Sequence, residues 1–248
     1  MINYIILGII QGFTEFFPVS SSGHLVIFQN LLGMSGEEVT ITVVLHLGTV
    51  LSLLVFFFKD ILLLFKDRKL VGYVLLVTVI TGIVGGLGKV FFENLFKSAA
   101  YSSIGLIVTG VILLLTKRFN SASRDKITLS DGIVLGFAQS VSIIPGISRS
   151  GMTISSLLFR NIRWETAFRF SFLASIPAIL GAALLKAKDI NFSLHTEGVN
   201  LFVGFVVSFL SGVLALWFLK KILFKAKFYY FGYYCIIAGI LALLTFGF

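Results

Sequence analysis

Residues 11–25 read QGFTEFFPVSSSGHL, and residues 145–153 read PGISRSGMT. Each stretch interrupts a longer apolar run, 4–31 in the first case and 130–160 in the second. Proline lacks the N–H that a helix interior needs, and its ring clashes with the preceding turn. The helix before the first break would reach only ~21 Å at 1.5 Å per residue, short of a hydrocarbon core of about 30 Å. Neither run can cross a bilayer as one straight helix. Each reads as two half-helices joined by irregular backbone, which a membrane tolerates only where protein or a water-filled cavity covers it.

The rest of the chain supplies that protein. Of 248 residues 57% are hydrophobic and 12% charged, about half the charged share of an average soluble domain. With a mean hydropathy of +1.02 this composition excludes an ordinary soluble globule. The single Cys235 and the lack of any zinc-type Cys/His spacing exclude a disulfide framework or zinc module. Six stretches are long enough to span: about 40–58, 70–89, 100–116, 164–187, 198–219 and 228–248. The opening MINYIILGIIQ has no basic residue before its apolar run, unlike a cleaved signal peptide, so Met1 is expected to stay.

The basic residues test this plan. Lys59, Lys66, Arg68 and Lys69 follow the first span, and Lys117, Arg118, Arg124 and Lys126 follow the third. Arg160 and Arg163 precede the fourth, and Lys220, Lys221, Lys225 and Lys227 follow the fifth. If both broken segments return to the side they entered from, these 14 of the 20 basic residues share one face. The other face keeps Lys89, Lys97, Lys186 and Lys188. The positive-inside rule makes the rich face cytoplasmic and puts both termini outside. The net charge of +9 is thereby read as topology rather than as a nucleic-acid surface.

A shift of 128 residues aligns Leu7 with Leu135, Gly8 with Gly136, Gln11 with Gln139, Ser20 with Ser148, Ser22 with Ser150 and Gly23 with Gly151. Gln, Ser and Gly are not what apolar bias supplies. The expected architecture is therefore an all-α polytopic membrane protein, a single membrane domain over 1–248. It has six transmembrane helices plus two broken re-entrant hairpins, as an inverted-topology repeat of about 1–118 and 129–248.

The two breaks carry the chemistry. Gln11 and Glu15, four apart, share a helix face, and an ionisable group at bilayer depth costs at least ~2.5 kcal/mol, so Glu15 needs a reason to be there, either a site role or a structural carboxyl hydrogen-bonded within a loop. Ser20, Ser21, Ser22 and His24 follow across the break. In the second cluster Arg149 stands between Ser148 and Ser150 at a helix start, with Gly146 and Gly151 beside it. Backbone N–H groups there form an anion cradle to which arginine adds a bidentate fork suited to phosphate. If the breaks converge, the site fits a phosphate or diphosphate, and a carboxylate beside a polyanion implies acid/base work or a bound divalent cation. Thr128 and Asp131 read as a helix-start pair, Glu165 and Arg169 as an i,i+4 ion pair, Asp125 as a solvated charge, and His46 as a packing or hydrogen-bonding residue. No Walker-type loop indicates an ATP-driven machine.

With Gln11–Glu15 before PVSSSGH, and with PGISRSGMT, the chain resembles the integral-membrane undecaprenyl-diphosphate phosphatases of the BacA type, the bacitracin-resistance proteins. The resemblance covers nearly its whole length. It implies hydrolysis of undecaprenyl diphosphate to undecaprenyl phosphate and inorganic phosphate in the bacterial cytoplasmic (inner) membrane, recycling the lipid carrier for cell-wall synthesis. It also implies a divalent cation, Mg²⁺ or Ca²⁺, as cofactor. By motif position it implies functional roles for Glu15, Ser21, His24, Ser148, Arg149 and Thr153, with Gln11 at a position where many members carry Glu. The catalytic set is then Ser21, His24, Glu15 and Arg149. The substrate-binding set is Ser20, Ser22, Ser148, Ser150, Gly146, Gly151 and Thr153, and the metal ligands are Glu15 and Gln11. Ser21 activated by His24, His24 itself, or water activated by His24 remain alternative nucleophiles. The partners are the polyprenyl diphosphate and the bilayer, with monomer or homodimer left open.

Two rivals are weighed by residues. The type-2 phosphatidic acid phosphatases share the SGH element, but their third motif needs a His where this chain has Ser155, and their R-P dipeptide is absent. A polyprenyl-phosphate flippase or secondary transporter would use the same inverted repeat and broken helices, but would move its lipid without releasing phosphate.

Overall fold

A computed structural model describes residues 1–34, 38–96, 99–119, 123–187, 198–224 and 227–246. Among the described residues the regular structure is helical: α1 Ile2–Phe16, α2 Ser21–Leu31, α3 Glu38–Phe56, α4 Phe58–Leu64, α5 Arg68–Leu87, α6 Lys89–Phe96, α7 Ala99–Leu115, α8 Leu129–Val141, α9 Arg149–Phe159, α10 Trp164–Ala187, α11 Gly198–Phe224 and α12 Tyr230–Phe246. Local chemistry sets the boundaries. Phe17, before Pro18, is extended (ψ 145°) and ends α1. The Asp67 carboxylate accepts from Lys69 N and Leu70 N at the start of α5. Thr128 and Asp131 form a capping box on α8, as their spacing predicts. Ser148 Oγ accepts from Gly151 N and starts α9.

Among the described residues four segments are long and apolar enough to cross a membrane: Arg68–Leu87, Ala100–Phe119, Trp164–Leu185 and Gly198–Leu223. A fifth is present if Thr40–Phe56 and Phe58–Leu64, bent by 72° at Phe57, count as one. The stretch expected as a sixth span holds α12, which has 17 residues and falls short by length. Lys97, Lys188 and Lys225 of the charge pattern lie outside the described residues. The outward surface is apolar, with Leu87 87% and Leu244 72% exposed, which suits hydrocarbon and would be untenable in water. This is a multi-pass membrane protein.

Helices pack through small residues, because lipid gives apolar side chains no reason to leave it and close backbone approach must supply the attraction. α1 lies on α11, α8 on α5 and α7 on α12. A Cβ on Gly12 would overlap Ser211 Oγ, and one on Gly110 would come within 2.7 Å of Gly232 O. Ser211 Oγ donates to Gly8 O (3.1 Å), Ser52 Oγ to Phe209 O (2.8 Å) and Ser208 Oγ to Leu45 O (2.8 Å). At the centre Phe16, Phe57, Phe168 and Phe172 form one aromatic knot, with Phe16–Phe172 centroids 5.6 Å and Phe57–Phe172 centroids 5.8 Å apart. Phe57, 1% exposed, turns α3 into α4 by burying its ring there.

One expected pair is corrected. Arg169 Nε reaches across to Asp60 Oδ1 (3.3 Å), and Glu165 Oε2 takes Arg163 Nε (3.6 Å). For Arg169 a cross-helix partner wins over the i,i+4 neighbour, whereas Glu165 turns to Arg163, just before α10. Asp125 stays largely exposed but bonds Arg163 at 3.0 Å.

Candidate active site

The two breaks meet. Side chains reach three carbonyl oxygens of the first: Ser150 Oγ donates to Phe17 O (3.2 Å), Cys235 Sγ to Pro18 O (3.3 Å) and His24 Nδ1 to Ser20 O (2.8 Å). Ser20 has φ 67°, in the left-handed region that costs a non-glycine residue about 1 kcal/mol. In the second break Gly146 has φ 82°, and a Cβ there would overlap Ser102 O. Thr109 of α7 serves that break twice, donating to Gly146 O (3.2 Å) and accepting from Ser148 N (3.0 Å). Irregular backbone is thus covered by protein, the condition membranes impose.

Glu15, in the last turn of α1 and 7% exposed, is the hub. Its Oε1 accepts from Arg149 Nη2 at 2.5 Å, and its Oε2 accepts from Ser21 Oγ at 2.7 Å and Gln11 Nε2 at 3.0 Å. His46 Nε2 stands 3.5 Å from the same Oε2, with its Nδ1 bonded to Thr42 O (2.7 Å). His46 therefore joins the site, although its residue type in a span gave no reason to prefer it over a packing histidine. Arg149, whose side chain is 16% exposed, opens α9 and carries the second break's charge to the first break's acid.

His24 does not contact Ser21 through its ring. Both ring nitrogens are taken, Nδ1 by Ser20 O and Nε2 by Tyr234 Oη at 2.7 Å. The carboxylate beside Ser21 is that of Glu15. Ser20 and Ser22 hydroxyls bond each other at 3.2 Å. Ser148 and Ser150, each 1% exposed, bond each other at 3.3 Å behind the α9 start, and a Cβ on Gly151 would lie 3.3 Å from Pro18 Cβ. Thr153, 1% exposed, turns inward to Arg149 O (2.7 Å) and Ser171 Oγ (2.6 Å), so it braces Arg149 from behind. Tyr234, Thr109 and Ser171 carried no sequence signal: a Tyr in YYFGYYC and hydroxyls in apolar spans are what composition alone supplies.

For a divalent cation the donor set is small. Among the described residues there is no group of three or more His, Cys, Asp and Glu. Among the described residues Gln11 Oε1, on the amide whose Nε2 bonds Glu15, is one of the buried oxygens without a hydrogen-bond partner. An amide oxygen and one carboxylate fit a hard cation that takes its remaining ligands from water and substrate phosphate. They do not fit an all-protein cage.

The family model of bacitracin resistance protein BacA matches residues 4–241. The chain belongs to the BacA family. BacA-family relatives named undecaprenyl-diphosphatase are similar over almost the full length. The Halothermothrix orenii protein is 41% identical over 98% of this chain and 97% of its own. That of Carboxydothermus hydrogenoformans is 43% identical over 95% and 94%, and that of Thermotoga petrophila is 37% identical over 97% and 99%.

Proposed function

We propose that this BacA-family chain hydrolyses undecaprenyl diphosphate to undecaprenyl phosphate and inorganic phosphate, recycling a lipid carrier for cell-wall synthesis in the bacterial inner membrane. The observation that carries the reading is the Arg149–Glu15–Ser21 chain at the junction of the breaks: a carboxylate bonded to both a guanidinium and a hydroxyl beside a helix N-terminus. Arg149 and the first N–H groups of α9 hold the terminal phosphoryl group, whose charge they are suited to neutralise. Ser21 Oγ attacks that phosphorus as its proton passes to Glu15 Oε2, 2.7 Å away. The bond to the bridging oxygen breaks, and undecaprenyl phosphate leaves with the electron pair. Water then cleaves the phosphoserine, with Glu15 returning the proton to Ser21. What supports Glu15 rather than His24 as base is the occupancy of both His24 nitrogens.

A Mg²⁺ or Ca²⁺ ion would be held by Glu15 and Gln11 Oε1, and bound there it would neutralise diphosphate charge. The six-span, inverted-repeat architecture belongs to the same reading. Supporting it, α1 packs on α11 as its repeat counterpart α8 packs on α5, while α7 and α12, themselves counterparts, pack on each other. The basic loops then face the cytoplasm.

The test is phosphate release from undecaprenyl diphosphate by purified protein, with and without excess EDTA, beside Glu15→Ala and Arg149→Ala. Release by wild type that vanishes in all three controls is expected. Release retained in Arg149→Ala overturns the site. Absence of release by folded wild type, with lipid movement across liposomes, would favour a flippase.

A further inference from the structure

We propose that Tyr234 is a positioning residue for His24, holding its ring in one tautomer and orientation across the interface between α2 and α12. The proposal rests on the phosphatase reading, in which His24 is not the base but holds the Ser20 carbonyl next to the nucleophile Ser21. A backbone carbonyl can only accept, so the 2.8 Å contact with Ser20 O puts the His24 proton on Nδ1. The neutral ring then has a lone pair on Nε2, and the group facing it at 2.7 Å is the Tyr234 hydroxyl, which donates. The two rings lie nearly parallel, 13° apart in plane with centroids 5.9 Å apart. A stack plus a hydrogen bond removes both rotational freedoms that an imidazole has, which is how orienting partners act on catalytic histidines.

Placement strengthens the assignment. Tyr234 and Cys235 are consecutive on α12, and both reach the first break, Tyr234 to His24 and Cys235 to Pro18 O. α12 thus grips the irregular segment at two points, on either side of Ser20 with its positive φ. His24 is 8% exposed whereas Tyr234 is about half exposed. The phenol therefore stands between the buried imidazole and whatever reaches the site.

Tyr234→Phe keeps the ring and loses the donor, and Tyr234→Leu loses both. Positioning through the hydroxyl predicts that Tyr234→Phe lowers kcat about tenfold with KM within about twofold of wild type, the usual scale for losing an orienting partner. A packing role predicts an unaffected Phe variant and an impaired Leu variant. A second readout is independent of turnover. Diethyl pyrocarbonate modifies unprotonated imidazole nitrogens, so His24 should be carbethoxylated several-fold faster in Tyr234→Phe than in wild type, read by peptide mass spectrometry on detergent-purified protein. An unchanged kcat or an unchanged modification rate in the Phe variant overturns the proposal. Failure of wild type to release phosphate would instead overturn the phosphatase reading and leave the modification result standing.

Discussion

Arg149 is where charge geometry matters most. Its contact with Glu15 is made by Nη2, and the rest of its planar fork suits a phosphate in a way that lysine cannot reproduce. Arg149→Lys should therefore lower kcat/KM by about a hundredfold or more despite keeping the charge, as loss of a transition-state donor does; activity within threefold of wild type would contradict the role given to the fork. Ser21→Ala should abolish any phosphoenzyme trapped by rapid quench with labelled substrate, and a label mapped to His24 would reassign the nucleophile. At this scale the sequence was most legible where a polar type was improbable: Glu15, Arg149 and the Ser/Gly clusters stand out against apolar surroundings. The partners of His24 were not legible, because a ring nitrogen's neighbour 210 positions away leaves no mark in spacing. Nor was the turning inward of Thr153, since a threonine one turn after an arginine reads the same whether it faces ligand or Ser171.

Between elements, stability should follow contact distance. Gly12→Leu drives a side chain into Ser211 and the α11 backbone, whereas Gly72 on α5 has nothing within 4 Å of an added Cβ. The first should cost about 1–3 kcal/mol as overpacking does and lower the melting temperature in detergent, while Gly72→Leu should leave it unchanged. Equal effects would refute the α1–α11 packing. Asp131 offers a second test. It is fully buried, bonded to Arg124 at 2.7 and 2.9 Å, and also bonded to Arg160 and to Thr128. Burial pushes its carboxyl up, but the hydrogen bonds from Arg124, Thr128 and Arg160 outweigh this and hold it well below the usual carboxylate range. A lowered folded pKa contributes stability above the unfolded value of about 3.9 that disappears as pH falls below it. Asp131→Asn should cost about 2–3 kcal/mol at pH 7, and its deficit against wild type should shrink below about pH 4. A deficit independent of pH would mean that packing, not charge, is lost. Helix positions, breaks and the Thr128–Asp131 cap could be read from residue order. The α3–α4 bend could not, because it comes from Phe57 burying itself among Phe168 and Phe172 rather than from a Pro or Gly.

For the whole molecule, the charge distribution sets a sidedness that labelling can check. In a Cys235→Ala background, single cysteines replacing Lys66 and Lys220 should react with an impermeant maleimide only after inside-facing access is opened. One replacing Lys89 should react from outside. Lys66 and Lys220 labelling from opposite sides would break the proposed topology. Overall architecture was legible to the extent that hydropathy and basic loops report it: the spans of α5, α7, α10 and α11 lie where expected. Length alone could not establish α12, because its 17 described residues are at the lower limit of what a straight crossing needs.

With Arg149 as the proposed phosphate seat, its 2.5 Å contact with Glu15 sets the protein's own carboxylate against the incoming phosphate. A tethered competitor acts at high effective concentration, so a small free anion enters at a disadvantage. Occupancy then hangs on what else the ligand brings, and the long hydrocarbon tail is the part that solvent-borne phosphates lack. On the proposed reading, selectivity for lipid-linked substrates over the cell's soluble phosphate pool should come from this internal rivalry rather than from a tight pocket.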